Sequence, residues 1–355
     1  MNILDNLKWV KRLDNGNILR SIDLLPKQIE QAWQDVKQIE LPVEYRNFKK
    51  VVINGMGGSG LGGHIIQSLF FDKLKIPLLN IHSYIVPGSV DKETLYIISS
   101  YSGNTEEPLS TIISARKKNA KFLAITSGGR LSEMIKSKKI YGYLFNDKYN
   151  LSQQPRMGIG YSLFGLMALL KKCNLLKIGD EQIRDGLGSL TKSKSFFDFN
   201  AIINDNPVKK MAEQIQNRMP IIIIADFLAG NAHLLANQIN ENAKNFSNYF
   251  VLSELNHHLL ESLKYPRSNS KNLIFLFFES GLYHSKNQKR LQITRDVLHK
   301  NKINYLTYVL QAKDKLSQSL EMAIFGSYLS FYLAVLNNVN PSFIPWVDYF
   351  KAQLK

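Results

Sequence analysis

From Lys50 onward the chain repeats one unit: a short apolar run, a turn, then a segment of helical spacing. Apolar runs fall at 51–54, 78–82, 95–100 and 122–126, with a weaker one at 141–145. Helices are expected after the first run, to Phe71, and over 105–118. A long apolar helix follows at 157–174. The alternation then restarts, with strands at 220–225, 272–278 and 305–310 and helices at 230–243, 288–300 and 316–336, before a last short helix that ends at Lys355. Strands that alternate with helices in this way build a parallel sheet covered on both faces. The expected fold is α/β with two such domains in tandem, a duplicated architecture. Residues 1–47 form an N-terminal helical arm, in which Leu24, Ile29, Ala32 and Val36 make one stripe and Pro42 stops the helix. The first domain covers 48–178, a charged, serine-rich connector 179–200, and the second domain 201–355.

Charge and cysteine usage narrow the classes. Lysine and arginine number 45 against 29 acids, a formal charge of +16. A nucleic-acid binder could carry such a charge. The lysines are scattered, however, and no block interleaves aromatic residues with arginine, so the charge reads as a solvated basic surface that would also draw in small anions. Cys173 is the only cysteine and cannot staple its own chain, which fits a reducing compartment. The N-terminus has no apolar signal core, and the apolar stretch near 157–170 is shorter than the ~20 residues a membrane helix needs. A cytoplasmic protein with no membrane or nucleic-acid partner is expected.

Two turns carry chemistry. GMGGSGLGG, residues 55–63, follows the first strand and opens a helix; glycines there let backbone amides and the positive end of the helix approach an anion. Gly58, Gly60 and Gly63 match a dinucleotide fingerprint, but the next strand lacks the acidic residue that would hold a ribose, and no Gly-Lys-Ser/Thr makes a P-loop. The second turn, SYSGNTEE at 100–107, places Ser100, Ser102 and Thr105 at the mouth of another helix. It could be a simple cap, with Glu107 closing a capping box. Two hydroxyl-lined turns at the ends of two strands of one sheet instead point to a phosphate cradle.

On these residues the chain resembles the SIS family of sugar isomerase domains, whose phosphosugar signature is GGSG with S-x-S-G-N-T. ITSGGRL (125–131), QPRMGIGYSLFGL (154–166), INENAK (239–244) and ELNHH (254–258) narrow the resemblance to the bifunctional phosphoglucose/phosphomannose isomerases. The resemblance implies two SIS-type, flavodoxin-like domains, one active site between them, and a homodimer with shared sites. It implies that Gly58, Ser59, Ser100, Ser102 and Thr105 hold the phosphate, that Arg156 is the cation beside the reacting carbons, and that Glu241 is the base. It further implies that His257, which in such dimers can come from the partner, assists ring opening, and that Lys351 is the family's terminal lysine. His258 and Leu259 stand where some relatives have Asn-Glu, and the C-terminal NPSFIPWVDYFKAQLK matches loosely.

The chemistry this implies is coherent. Aldose–ketose isomerisation moves one proton between adjacent carbons through an enediol. A glutamate can take and return that proton, a fixed guanidinium stabilises the developing oxyanion, and a histidine suits ring opening near neutral pH. No metal, nucleotide or redox cofactor is needed, and His233, His257, His258 and His299 show no metal-binding spacing. The expected activity interconverts glucose 6-phosphate, and mannose 6-phosphate, with fructose 6-phosphate, as in glycolysis and gluconeogenesis. The alternatives are another phosphosugar isomerase of the same family or a non-catalytic phosphosugar sensor.

Overall fold

The computed structural model describes residues 2–354; residues 1 and 355, the outer ends of the expected arm and second domain, lie outside the described residues. The arm contains α1 (Leu7–Leu13), α2 (Ile18–Asp23) and α3 (Leu25–Lys37). The first sheet is built from β1 (Lys50–Gly55), β2 (Leu78–Ile81), β3 (Thr94–Ser99), β4 (Lys121–Thr126) and β5 (Tyr141–Leu144), all parallel, in the order β2-β1-β3-β4-β5. With it run α4 (Gly58–Leu69), α5 (Glu106–Lys117), α6 (Gly129–Lys136) and α7 (Ile159–Lys172). Helices α8 (Asp180–Phe197) and α9 (Pro207–Ile215) lead to the second sheet. Its strands are β6 (Met219–Ala225), β7 (Asn248–Leu252), β8 (Leu273–Glu279) and β9 (Asn304–Val309), parallel in the order β7-β6-β8-β9. Helices α10 (Ala229–Ala243), α11 (Asn269–Asn272), α12 (Ser285–Lys300), α13 (Lys315–Leu336) and α14 (Pro345–Gln353) complete the chain.

The two sheets share a topology: the first strand of each lies between the second and the third. Central strands are apolar throughout because helices cover both faces; β3, TLYIIS, is buried at every position. Alternate residues of β1 and β3 serve different layers. Val51, Ile53, Leu95 and Ile97 pack with α4 and α7, while Val52, Tyr96 and Ile98 pack with Ile112 and Ala115 of α5 and Leu131 of α6. The core helices α4, α7, α10 and α13 pack on one another between the sheets. Gly230 makes this approach possible, since a β-carbon there would lie 2.4 Å from the Ile65 backbone of α4.

The segment 179–200, read as a connector, is largely helical: 180–197 form α8, which packs against α13 through Ile183, Gly186, Leu190 and Phe197. Those four residues make a sparse stripe, which its lysines, serines and acids concealed. Among the described residues the longest apolar helix lies in the second half, where a helix is expected over 316–336. It is α13, with 22 residues and a window of mean hydropathy 1.4, long and apolar enough by composition to cross a membrane, yet 94% of that window is buried inside the fold. It is the spine of the second half. Strand β7, NYFVL, is a half-buried edge strand with only a short apolar run, and α6 and α9 are short helices of mixed polar and apolar composition.

Candidate active site

The sheet order puts the switch point of the first half between β1 and β3, where open α/β sheets bind ligands at the carboxyl ends of their strands. Both turns singled out in the sequence lie there, and they are joined. Ser99 Oγ donates to the Ser59 carbonyl at 2.7 Å, and the Tyr101 N–H donates to Ser59 Oγ at 2.8 Å. Ser100 is fully buried; its hydroxyl meets Thr105 Oγ1 at 2.6 Å and accepts from the Gly103 N–H at 3.1 Å. Ser100 therefore shapes the turn from within, whereas Ser102 is exposed and Thr105 partly exposed at its mouth. The Asn104 carboxamide accepts from the Arg130 N–H at 3.0 Å and so ties the turn to the start of α6.

Gly58 connects this cradle to the second part of the site. A β-carbon on Gly58 would lie 2.7 Å from the Arg156 backbone nitrogen, so only glycine lets the Pro155–Met157 turn close on the first residue of α4. Arg156 is 1% exposed, and all five of its N–H groups are engaged. Nε donates to Asn242 Oδ1 at 2.6 Å. One terminal nitrogen donates to Gln154 Oε1 at 2.8 Å and to Glu241 Oε2 at 3.1 Å. The other donates to the carbonyls of Pro341 and Ser342 at 2.9 and 3.0 Å. Burial pulls the Arg156 pKa down, against the opposing pull of Glu241; a guanidinium stays charged at neutral pH in either case.

Glu241 stands in the last turn of α10 with its side chain 29% exposed, half sequestered by Arg156 and still open to a ligand. Lys244 follows at the end of this helix with a left-handed backbone, φ 51°. Loss of solvent around its ammonium, then Arg156, pushes its pKa down to about 8, with Glu241 opposing. Within one chain His257 and Lys351 do not join this group. His257 is exposed in the Glu254–His257 turn after β7, and Lys351 is exposed on α14; among the described residues neither makes a hydrogen bond or ion pair with Arg156 or Glu241. Helix α14 nonetheless begins close by, since it follows the Pro341 and Ser342 carbonyls that Arg156 holds. Gln154, Asn242 and Lys244 received no role from sequence reasoning, although all three lie inside the QPR and NENAK motifs.

The arrangement is a glycine- and hydroxyl-lined turn abutting a buried cation, with a half-open carboxylate beyond it. Residues 204–354 match the family model for the bacterial phospho-glucose isomerase C-terminal SIS domain. The chain is 32% identical over 351 residues to a bifunctional phosphoglucose/phosphomannose isomerase of Caldicellulosiruptor bescii, covering 95% of this chain and 98% of that protein. This chain belongs to the bifunctional phosphoglucose/phosphomannose isomerase family. A second such isomerase, from Thermoplasma volcanium, is 33% identical over 313 residues, 86% of this chain and 92% of the relative. In fold, the chain is similar to the C-terminal domain of glucosamine-fructose-6-phosphate aminotransferase from Francisella tularensis, with TM-score 0.71, 15% identity, and coverage of 93% and 99% of the two chains. The isomerase relatives thus cover most of both halves, while the structural likeness speaks to the double SIS fold.

Proposed function

We propose that this chain interconverts glucose 6-phosphate and mannose 6-phosphate with fructose 6-phosphate through a cis-enediol. The observation that carries the reading is the contact between cradle and cation: Gly58 abuts Arg156, and Arg156 holds Glu241. A phosphate anchored on the Ser102–Thr105 turn and the start of α4 would direct the rest of the sugar along Arg156 toward Glu241, so that binding free energy of the remote phosphate places C1 and C2 against the base.

Glu241 takes the proton from C2 of the open-chain aldose and returns it to C1, giving the ketose. Because Arg156 has no free donor, it serves chiefly as a buried positive charge that aligns Glu241 and stabilises the enediolate oxygens through its field. C2 is trigonal in the enediol, so the centre that distinguishes glucose from mannose is lost there, and one base can serve both epimers. Ring opening is assigned to His257. Its position away from Glu241 in the single chain supports its delivery by a second copy, and the exposed Phe343, Trp346, Tyr349 and Phe350 along and just before α14 are apolar surface that such a homodimer would cover. Lys351 on the same helix would then face the shared site. A cytoplasmic location fits these substrates.

A coupled assay of the purified chain on glucose 6-phosphate and mannose 6-phosphate side by side tests the reading. Formation of fructose 6-phosphate from both is expected. Inertness toward both, with turnover of a different phosphosugar, would replace this reading with another isomerase of the family.

A further inference from the structure

Beyond the residues discussed for the reaction, Lys244 occupies a place that no surface lysine needs. The residue as a whole is exposed, but its ammonium is turned onto three main-chain carbonyls: Glu241 at 3.0 Å, Asn242 at 3.2 Å and Asn340 at 2.6 Å. The first two belong to the last turn of α10, where carbonyls have no partner within the helix and attract a cation. The third begins a tripeptide, 340–342, whose other two carbonyls are those held by Arg156. Arg156 and Lys244 thus grip the same three residues from two sides, and Glu241 lies between them. The tripeptide is braced from behind by the N-terminal arm. Asn340 Nδ2 donates to Asn15 Oδ1 at 2.6 Å, and Gly16 packs so closely on Ser342 that a side chain there would overlap its hydroxyl.

We propose that Lys244 is a positioning residue for the isomerase reaction: it latches the end of the helix that carries Glu241 to the 340–342 turn and so sets the aim of the carboxylate. The inference rests on the isomerase reading above. Lys244 closes α10 with a left-handed backbone, φ 51°, and its side chain lies on the carbonyls of the final turn, so it acts through main-chain atoms. The charged groups facing its ammonium are Arg156 from the Pro155–Met157 turn and Glu241 from α10, while the 340–342 turn brings none; Asp348 of α14 acts on Arg156. Burial lowers the Lys244 pKa most, Arg156 adds to that and Glu241 opposes it, so the latch loosens around pH 8.

The test compares Lys244→Met, Lys244→Arg and the parent chain. Misaiming a base by an ångström or so costs about a hundredfold, so Lys244→Met should lower kcat by roughly tenfold to a hundredfold while KM for fructose 6-phosphate moves less than about threefold. Lys244→Arg should recover most of kcat and shift the alkaline limb of the kcat/KM profile upward by more than one pH unit, because a guanidinium does not titrate there. A kcat for Lys244→Met within twofold of the parent, or an alkaline limb unmoved in Lys244→Arg, would overturn the latch. If Lys244→Met shows no cooperative melt, Lys244→Arg and its pH profile decide alone. An inactive parent chain would refute the isomerase reading itself, which is a different result from an active parent with an indifferent Lys244.

Discussion

The two halves of this molecule share the order of their first four strands, the first sheet adding a fifth, and their equivalent switch points differ in chemistry. In the first half, β1 ends in a turn where Gly57 has φ 48°, and the neighbouring β3 runs into serine and threonine hydroxyls that stand at an open mouth. In the second half, β6 ends in a turn where Asp226 has φ 50°. The Asp226 carboxylate accepts from the His284 N–H at 2.8 Å and from Asn287 Nδ2 at 2.7 Å, both at the start of α12. A second carboxylate repeats the pattern at the end of β9, where buried Glu321 accepts from the N–H groups of Gln311 and Ala312. Strand ends that meet helix N-termini collect unpaired N–H groups and favour an anion. In the second half the protein's own carboxylates take those N–H groups, whereas in the first half the hydroxyls of the β3 turn stand at an open mouth. The second half also carries Glu241.

This division of labour can be broken at several points. The largest effect is expected from Glu241→Gln, which removes a base worth about a hundredfold to ten-thousandfold in kcat, while calorimetry should find fructose 6-phosphate bound nearly as tightly as by the parent. Retained turnover would take Glu241 out of the chemistry. Next comes Ser102→Ala, which should raise KM about tenfold or more through loss of one hydrogen bond to a charged group while kcat stays within about twofold. An unchanged KM would show that the open cradle is not where the phosphate sits.

The seam between the halves is predicted to weaken in acid. His64 on α4 and His233 on α10 bring their Nδ1 atoms to 2.9 Å, an arrangement that needs one nitrogen to accept. Burial, and then His64 and His82, pushes the His233 pKa down from 6.5 to about 4; burial and His82 lower that of His64. The unfolded chain then binds more protons between these values, so this contribution is complete above pH 6.5 and is lost as the pH falls toward 4. Urea melts should show His233→Asn losing ~1–2 kcal/mol less than the parent over that interval, a figure reduced for the partial exposure of the pair. The smallest effect is expected from Asp226→Asn: about 1 kcal/mol or less in a urea melt, because the site is exposed, with KM unchanged. A raised KM there would mean that the second switch point also meets substrate.

Much of this was written into the chain locally. Apolar runs such as IIII at 221–224 must be buried on both faces, and glycines at 57–58 and hydroxyls at 100–105 mark turns whose chemistry suits an anion, because backbone freedom and side-chain chemistry are properties of single residues and their neighbours. The motifs around Arg156 and Glu241 could be matched to a family, but their meaning depends on folding. Those two residues are 85 apart in sequence, and their ion pair exists only because Gly58 admits the Arg156 turn and Gly230 lets α10 close on α4. The same holds for α8, whose thin stripe is stabilised by α13, and for Lys244, which becomes a latch only when residues 340–342 arrive beneath it. Contacts between distant segments are set by shape complementarity across the whole core, and no local pattern encodes that.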